Sequence, residues 1–171
     1  DKGGYILTYD YDKWSFIDPK EAQKKLNLPR NPRDYTSIAV TTDDSNDEIV
    51  YASSMGDGVI QYKNGTPVQS YNEKNAFKET AGGYGSGYCY IDGLAFDKNG
   101  NLWMTSSEVN HAVLVLDKAG AWHRLDIEQL RGVYTINDIL ITSTNDKWIY
   151  VPRNTPKLVM IPNSESLDEV S

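Results

Sequence analysis

A strand–turn–strand skeleton occurs three times in this chain, and that recurrence limits the fold more than any other feature. The copies read TSIAVTTDDSNDEIVYASS (36–54), IDGLAFDKNGNLWMTSS (91–107) and INDILITSTNDKWIYVPR (136–153). Each opens on a triplet: Ile38-Ala39-Val40, Leu94-Ala95-Phe96 or Ile139-Leu140-Ile141. A polar turn follows, then a second apolar strand around Val50, Trp103 or Ile149. Asn99-Gly100 in the middle copy is a strong hairpin signal and predicts a type I′ turn, in which both central residues take φ > 0. The first strand of each copy is apolar at successive positions, which predicts cover on both faces; the second alternates more.

A third strand follows every copy: GVIQYKN (58–64), AVLVLDKAG (112–120) and KLVMIPN (157–163). A fourth follows the first two, TPVQSY (66–71) and AWHRLD (121–126). The N-terminal GYILTYD and KWSFID supply a third-and-fourth pair without its beginning, and Trp14, Asp18 and Glu21 align at one offset with Trp122, Asp126 and Gln129. Asp18, Pro19 and Glu21 carry the pattern of a helix capping box, which predicts a helix over 19–28 ended by Pro29. DIEQLRG (126–132) repeats the device as about one turn, stopped by Gly132.

Strands that run inner to outer and then cross to the next inner strand are the blades of a propeller. The starts at Ile38, Leu94 and Ile139 keep roughly the 40–50-residue period of such blades, with the first interval stretched by an insertion over 72–88. The expected fold is all-β: a β-propeller segment of four-stranded antiparallel blades, about three to four in number. A sandwich of hairpins is the competing arrangement. The implied boundaries are a partial blade over 1–30, a blade over 31–72, an insertion over 72–89, a blade over 90–132 and a partial blade over 133–163. A closed ring needs at least about four blades. The chain is therefore expected to belong to a longer propeller, or to pair its open blade faces in a homodimer. Trp14, Trp103, Trp122 and Trp148 are expected to pack between blades or at their edges.

A net charge of −7 argues against a nucleic-acid surface, which needs clustered Lys and Arg. One cysteine, Cys89, rules out an internal disulfide and a Cys-rich metal site. No apolar run approaches the ~18 residues of a membrane-spanning helix. DKGGYILTYD shows no signal-peptide pattern and reads as the start of a mature or cut-out segment.

The two histidines, His111 and His123, lie near one edge hairpin with no helical pairing or HExxH pattern, and read as surface residues. GGYGSGY (82–88) departs from a dinucleotide-binding loop and precedes a strand, so it offers no helix N-terminus to a phosphate. Asn64-Gly65-Thr66 matches a glycosylation triplet but sits where a hairpin turn is expected. Tyr84, Tyr88 and Tyr90 cluster at the approach to the second inner strand, where loops line one face of a propeller around its axis. Tyrosines there offer broad contact to sugar or peptide faces at small rotamer cost. With Asp92 they are the candidate ligand-binding residues; no catalytic residue, metal site or cofactor is expected.

The skeleton apolar-x-apolar-x-Asp-x-x-Gly-x-x-Trp in LAFDKNGNLWM resembles the two-component regulator propeller repeat. NDILITSTNDKWIYVPR resembles a further copy without the glycine, and DDSNDEIVY lacks both the glycine and the tryptophan. AVLVLDKAGAWHRLD and KWIYVPR are similar to extracytoplasmic propellers of Bacteroidota, among them periplasmic sensor regions of hybrid two-component regulators and PorZ-like secretion components. The resemblance implies a non-enzymatic periplasmic or cell-surface module. It would recognise a small-molecule or glycan ligand, or a protein partner. IDGLAFDKNGNLWM also resembles gluconolactonase-type propellers, which would make Asp92 a metal position, with Asp138 able to join, in a metal-dependent hydrolase. That set is incomplete here.

Overall fold

The computed structural model describes residues 4–78, 80, 87–164 and 166–167, which form thirteen strands, one α-helix and one 3-10 turn. β1 (Ile6–Asp10) and β2 (Lys13–Ile17) make a hairpin. β3 (Tyr35–Thr42), β4 (Glu48–Gly56), β5 (Gly58–Lys63) and β6 (Thr66–Tyr71) pair antiparallel in chain order. So do β7 (Cys89–Phe96), β8 (Leu102–Ser106), β9 (Val113–Leu116) and β10 (Trp122–Leu125), and then β11 (Asp138–Ile141), β12 (Lys147–Val151) and β13 (Lys157–Ile161).

The first strand of each set meets the first strand of the next. Thr36 Oγ1 on β3 donates to the Ile91 carbonyl on β7 at 2.7 Å, and the Leu94 N–H donates to Ser37 Oγ at 3.2 Å. Gly93 on β7 lies so close to β11 that a Cβ there would stand 2.7 Å from the Ile139 nitrogen. These contacts set β3, β7 and β11 side by side as the hub of an all-β propeller segment. β4 and β7 are also spliced at their ends by Met55↔Tyr90 and Gly56↔Cys89, which joins the first two blades into one eight-stranded sheet. No strand pairing joins that sheet to β11–β13 among the described residues.

Hydrophobic layers fill the spaces between blades. Ile6, Val50, Ala52, Ile60 and Tyr62 are buried between the first hairpin and β4–β5. Val59, Ile91, Leu94, Met104 and Leu114 fill the next gap; Trp103, Val113, Val115, Ile139, Ile149 and Ile161 fill the third. Because side chains alternate along a strand, β8 sends Leu102 and Met104 one way and Trp103 the other. Each fully buried aliphatic contributes about 1.5–3 kcal/mol.

The strands at the two ends of the stack differ from expectation. Ile38 and Val40 on β3 are each 52% exposed and Leu140 on β11 is 61% exposed. Only β7, flanked by blades on both sides, is covered as the successive apolar residues predict. Ile38 and Val40 share a face with Val50 and Ala52, but the buried layer with Ile6 reaches only as far inward as β4. Trp14 is likewise 66% exposed and Trp148 is half exposed, whereas Trp122 packs edge-on against Tyr71 and Phe77 at 5.5 Å.

The turns also correct the sequence reading. In the β7–β8 turn only Gly100 has a positive φ, so Asn99-Gly100 is not a type I′ pair. Asp97 builds the turn instead: its Oδ1 accepts the N–H groups of Asn99 and Asn101, both at 2.9 Å. Its Oδ2 accepts Trp103 Nε1–H at 2.9 Å, tying the turn to the core. Asp43 holds the β3–β4 turn in the same way through Ser45 and Asp47, and Thr142 serves with its hydroxyl in the β11–β12 turn. Where the middle copy has Gly100, the outer copies have Asn46 (φ 61°) and Asn145 (φ 70°). Asn tolerates the left-handed conformation, so the motif glycine is lost without losing the turn. The type I′ turn lies at Asn64-Gly65, between β5 and β6.

The helix α1 (Pro19–Leu26) forms where expected, with Asp18 Oδ1 accepting the Lys20 N–H at 2.9 Å. Glu21 pairs with Lys25 at 3.2 Å rather than completing a capping box, and Asn27 in the left-handed conformation ends the helix before Pro29. The short 3-10 turn (Glu128–Leu130) has no side-chain cap, since Asp126 pairs with Arg131 at 2.6 Å.

Candidate functional site

The starts of β7 and β11 and the ends of β4, β8 and β12 converge on a pocket of about 430 Å³. One wall comes from the eight-stranded sheet: Met55, Tyr90, Asp92, Ser107 and Glu108. The other comes from the approach to β11 and the end of β12: Tyr134, Thr135, Asn137, Pro152 and Arg153. The pocket therefore lies between two blades, at the end of the molecule where inner strands begin.

Asp92 is the best-anchored polar group in it. Its Oδ2 accepts a hydrogen bond from Ser107 Oγ at 2.7 Å, and that oxygen in turn accepts the Ile136 N–H at 2.8 Å. The serine thus bridges the two walls. Burial pushes the Asp92 carboxyl up to about 7 against the pull of the Ser107 bonds, and the negative charge of Glu108 adds to the rise. Near neutral pH the group is both donor and acceptor.

Glu108 reaches the pocket from a strained position. Its φ is 63°, and its N–H is held by the Val133 carbonyl at 2.8 Å. Tyr90 meets Tyr88 edge-on, ring centroids 5.1 Å apart. Tyr88, however, packs over Gly56, where a Cβ would stand 2.7 Å from its ring, and lines a second pocket of about 280 Å³ beside the Arg30–Asp57 ion pair (2.6 Å). Tyr84 lies outside the described residues. Of the four candidate residues, the structure brings Tyr90 and Asp92 into one pocket and turns Tyr88 into another.

The hydrolase alternative needs several ligands around Asp92. No three His, Cys, Asp or Glu side chains are grouped for a metal among the described residues. Asp138 is exposed, its Oδ1 accepting the Ile139 N–H at 2.8 Å. His123 is half-buried and pairs with Asp117 at 2.9 Å on the β9–β10 hairpin. Cys89 is buried, and burial pushes its thiol up to about 11, far from a reactive thiolate at neutral pH.

No protein-family model matches the chain, and no curated protein matches it. Solved structures do. PorZ, a surface component of the type IX secretion system of Porphyromonas gingivalis, superposes with a TM-score of 0.74 at 22% identity, over 94% of this chain and 22% of that one. The extracellular domain of a hybrid two-component system from B. thetaiotaomicron gives 0.53 at 16% identity, over 81% of this chain and 17% of that one. The extracellular domain of a one-component system from the same organism gives 0.50 at 15%, over 77% and 18%. The likeness is one of fold. This chain spans about a fifth of the length of each. The two groups that the sequence resembles are thus both among its structural neighbours. No helix among the described residues is long and apolar enough to cross a membrane.

Sequence reasoning missed Glu108, Tyr134 and Arg153. Each lies just beyond a recognised strand, in connections whose lengths vary between copies. The readable signal was in SSEVN: a charged residue directly after the small residues that end a strand.

Proposed function

We propose that the chain is part of a non-enzymatic extracytoplasmic propeller that recognises a polar small molecule, glycan fragments included, in the pocket between its second and third blades. One observation carries this reading. Tyr90, Asp92 and Ser107 from one blade face Tyr134 and Asn137 from the next across about 430 Å³, a volume that suits a small ligand. Aromatic faces beside a few fixed polar groups are the usual composition of such a site. The fold's likeness to extracellular sensor domains and to a surface secretion component supports placement outside the cytoplasm. The flanking gene sequence separates sensor from secretion component: a membrane span with a kinase supports the first, and a C-terminal docking domain supports the second.

The test is an NMR titration of the chain with neutral oligosaccharides and small charged and uncharged metabolites. Binding should move the amides of Tyr90, Asp92, Ser107 and Tyr134, and Tyr90→Ala should abolish the shifts without lowering the melting temperature by more than a few degrees. A panel in which no compound of any charge moves those amides overturns the proposal.

A further inference from the structure

Resting on that reading, we infer that the pocket selects ligands bearing a positively charged amine, bound at the Asp92–Glu108 end. The cavity supplies the site, and its wall chemistry supplies the class. Two carboxyl side chains of the same wall, Asp92 and Glu108, line it together with the Tyr90 and Tyr134 rings. Among the described residues, no Lys, Arg or His forms an ion pair with either carboxyl. A neutral polyol leaves the charge of Glu108, and that of Asp92 once it is ionised, without a counter-ion. An ammonium donates up to three hydrogen bonds to the two carboxyls, offsets one negative charge and gains cation–π contact with a tyrosine face.

Residue choice at position 108 points the same way. Of the eight described non-glycine residues with positive φ, five are Asn and one is Asp, the types that tolerate this conformation. Glu108 and Tyr11 are the exceptions. Tyr11 is at an exposed hairpin tip, whereas Glu108 lines the cavity. A glutamate at a backbone position that favours Asn or Gly points to a role for its side chain in the pocket. The other charged groups nearby are Arg153, which lines the opposite wall, and Asp138, which borders Gly93. Arg153 opposes a simple monoamine and would favour a ligand that also carries an acid group.

The experiment compares benzylamine with benzyl alcohol, near-isosteres that differ in charge, by NMR titration of the full chain at pH 8. Benzylammonium should move the amides of Asp92, Ser107, Glu108 and Tyr134 at concentrations where the alcohol does not. Glu108→Gly relieves the backbone, so the variant should melt no lower than the parent yet bind benzylammonium roughly fivefold more weakly, as expected for a half-exposed charge pair. Arg153→Gln should bind it more tightly. Equal or stronger shifts with benzyl alcohol overturn the amine inference and leave the binding reading intact. If neither probe moves the pocket amides, and neutral sugars do, the inference falls alone; if nothing does, both fall. Parent-like benzylammonium affinity in Glu108→Gly also overturns it.

Discussion

Gly93→Ala tests the hub directly. Gly93 does not have a positive φ, so alanine meets no backbone penalty there. It would stabilise the chain by about 0.4–1 kcal/mol through the unfolded state alone if there were room. There is none. The new methyl would stand 2.7 Å from the Ile139 nitrogen and 2.9 Å from both Cα and Oδ1 of Asp138, where ordinary contact begins at 3.4 Å. β11 would have to retreat by about 0.7 Å, and protein interiors yield poorly to such shifts. Ile139, 4% exposed and packed in the layer between the second and third blades, would be drawn out of register with Trp103 and Ile149. Overpacking of this kind costs about 1–3 kcal/mol. Setting the unfolded-state gain against it leaves a net loss of about 1–2 kcal/mol. For a chain of this size that lowers the melting temperature by roughly 2–8 °C. Urea unfolding followed by tryptophan fluorescence, alongside a thermal melt, measures it. An unchanged or raised midpoint would mean that β7 and β11 do not press together at Gly93, and the radial arrangement of the sheets would lose its main support.

The contribution of Asp92 to stability should fall as pH rises from ~4, the unfolded carboxyl value, to about 7, because over that window the native state holds a proton on Asp92 that the unfolded chain releases. Asp92→Asn should remove that slope and raise stability at pH 8 by on the order of 1–3 kcal/mol, read from urea midpoints at pH 5 and pH 8; an unaltered slope refutes the assignment. Asn46→Gly should be neutral or slightly stabilising. Asn145→Gly should cost about 2 kcal/mol, because Asn145 is 4% exposed, its Oδ1 accepts the Lys98 N–H and its Nδ2 donates to Asn163; equal melting temperatures for the two variants would refute the distinction. Lys147 is 2% exposed with its ammonium 4.5 Å from the Trp103 ring centroid, and desolvation lowers its pKa. Lys147→Met should leave stability within about 1 kcal/mol of the parent at pH 7 while changing Trp103 emission, whereas a loss of several kcal/mol would show that the ammonium is essential. Finally, Leu140, Trp148, Tyr150, Leu158 and Met160 form one exposed face of β11–β13, so the chain should self-associate, and Leu140→Asp with Leu158→Asp should shift its mass by light scattering toward monomer; a parent chain that is already a monomer refutes this.

The order of strands was legible because hairpin pairing is local. A polar turn between two apolar runs dictates which neighbours bond, and the repeat then shows where one set stops and the next begins. Asp97 and Asp43 were visible as turn residues, but their role in organising the turn was not, since an Asx turn and a type I′ turn can share the same letters. Long-range features were the least legible. That Ile38 and Leu140 would be open and Leu94 covered depends on what stands opposite each strand, which no local pattern encodes. The pocket was half legible. Tyr90 and Asp92 sit at a strand start, where the repeat points; Glu108, Tyr134 and Arg153 come from connections that only the folded hub brings together.

The splice of Met55 to Tyr90 and Gly56 to Cys89 leaves this molecule with unequal joints. The first two blades share a backbone ladder and can tilt against each other only by breaking peptide hydrogen bonds. The third is fastened by side-chain packing and by single hydrogen bonds from loops, with no strand pairing to the other two among the described residues. The cavity straddles that second joint, so a molecule held there would touch two sheets whose backbones are not bonded strand to strand.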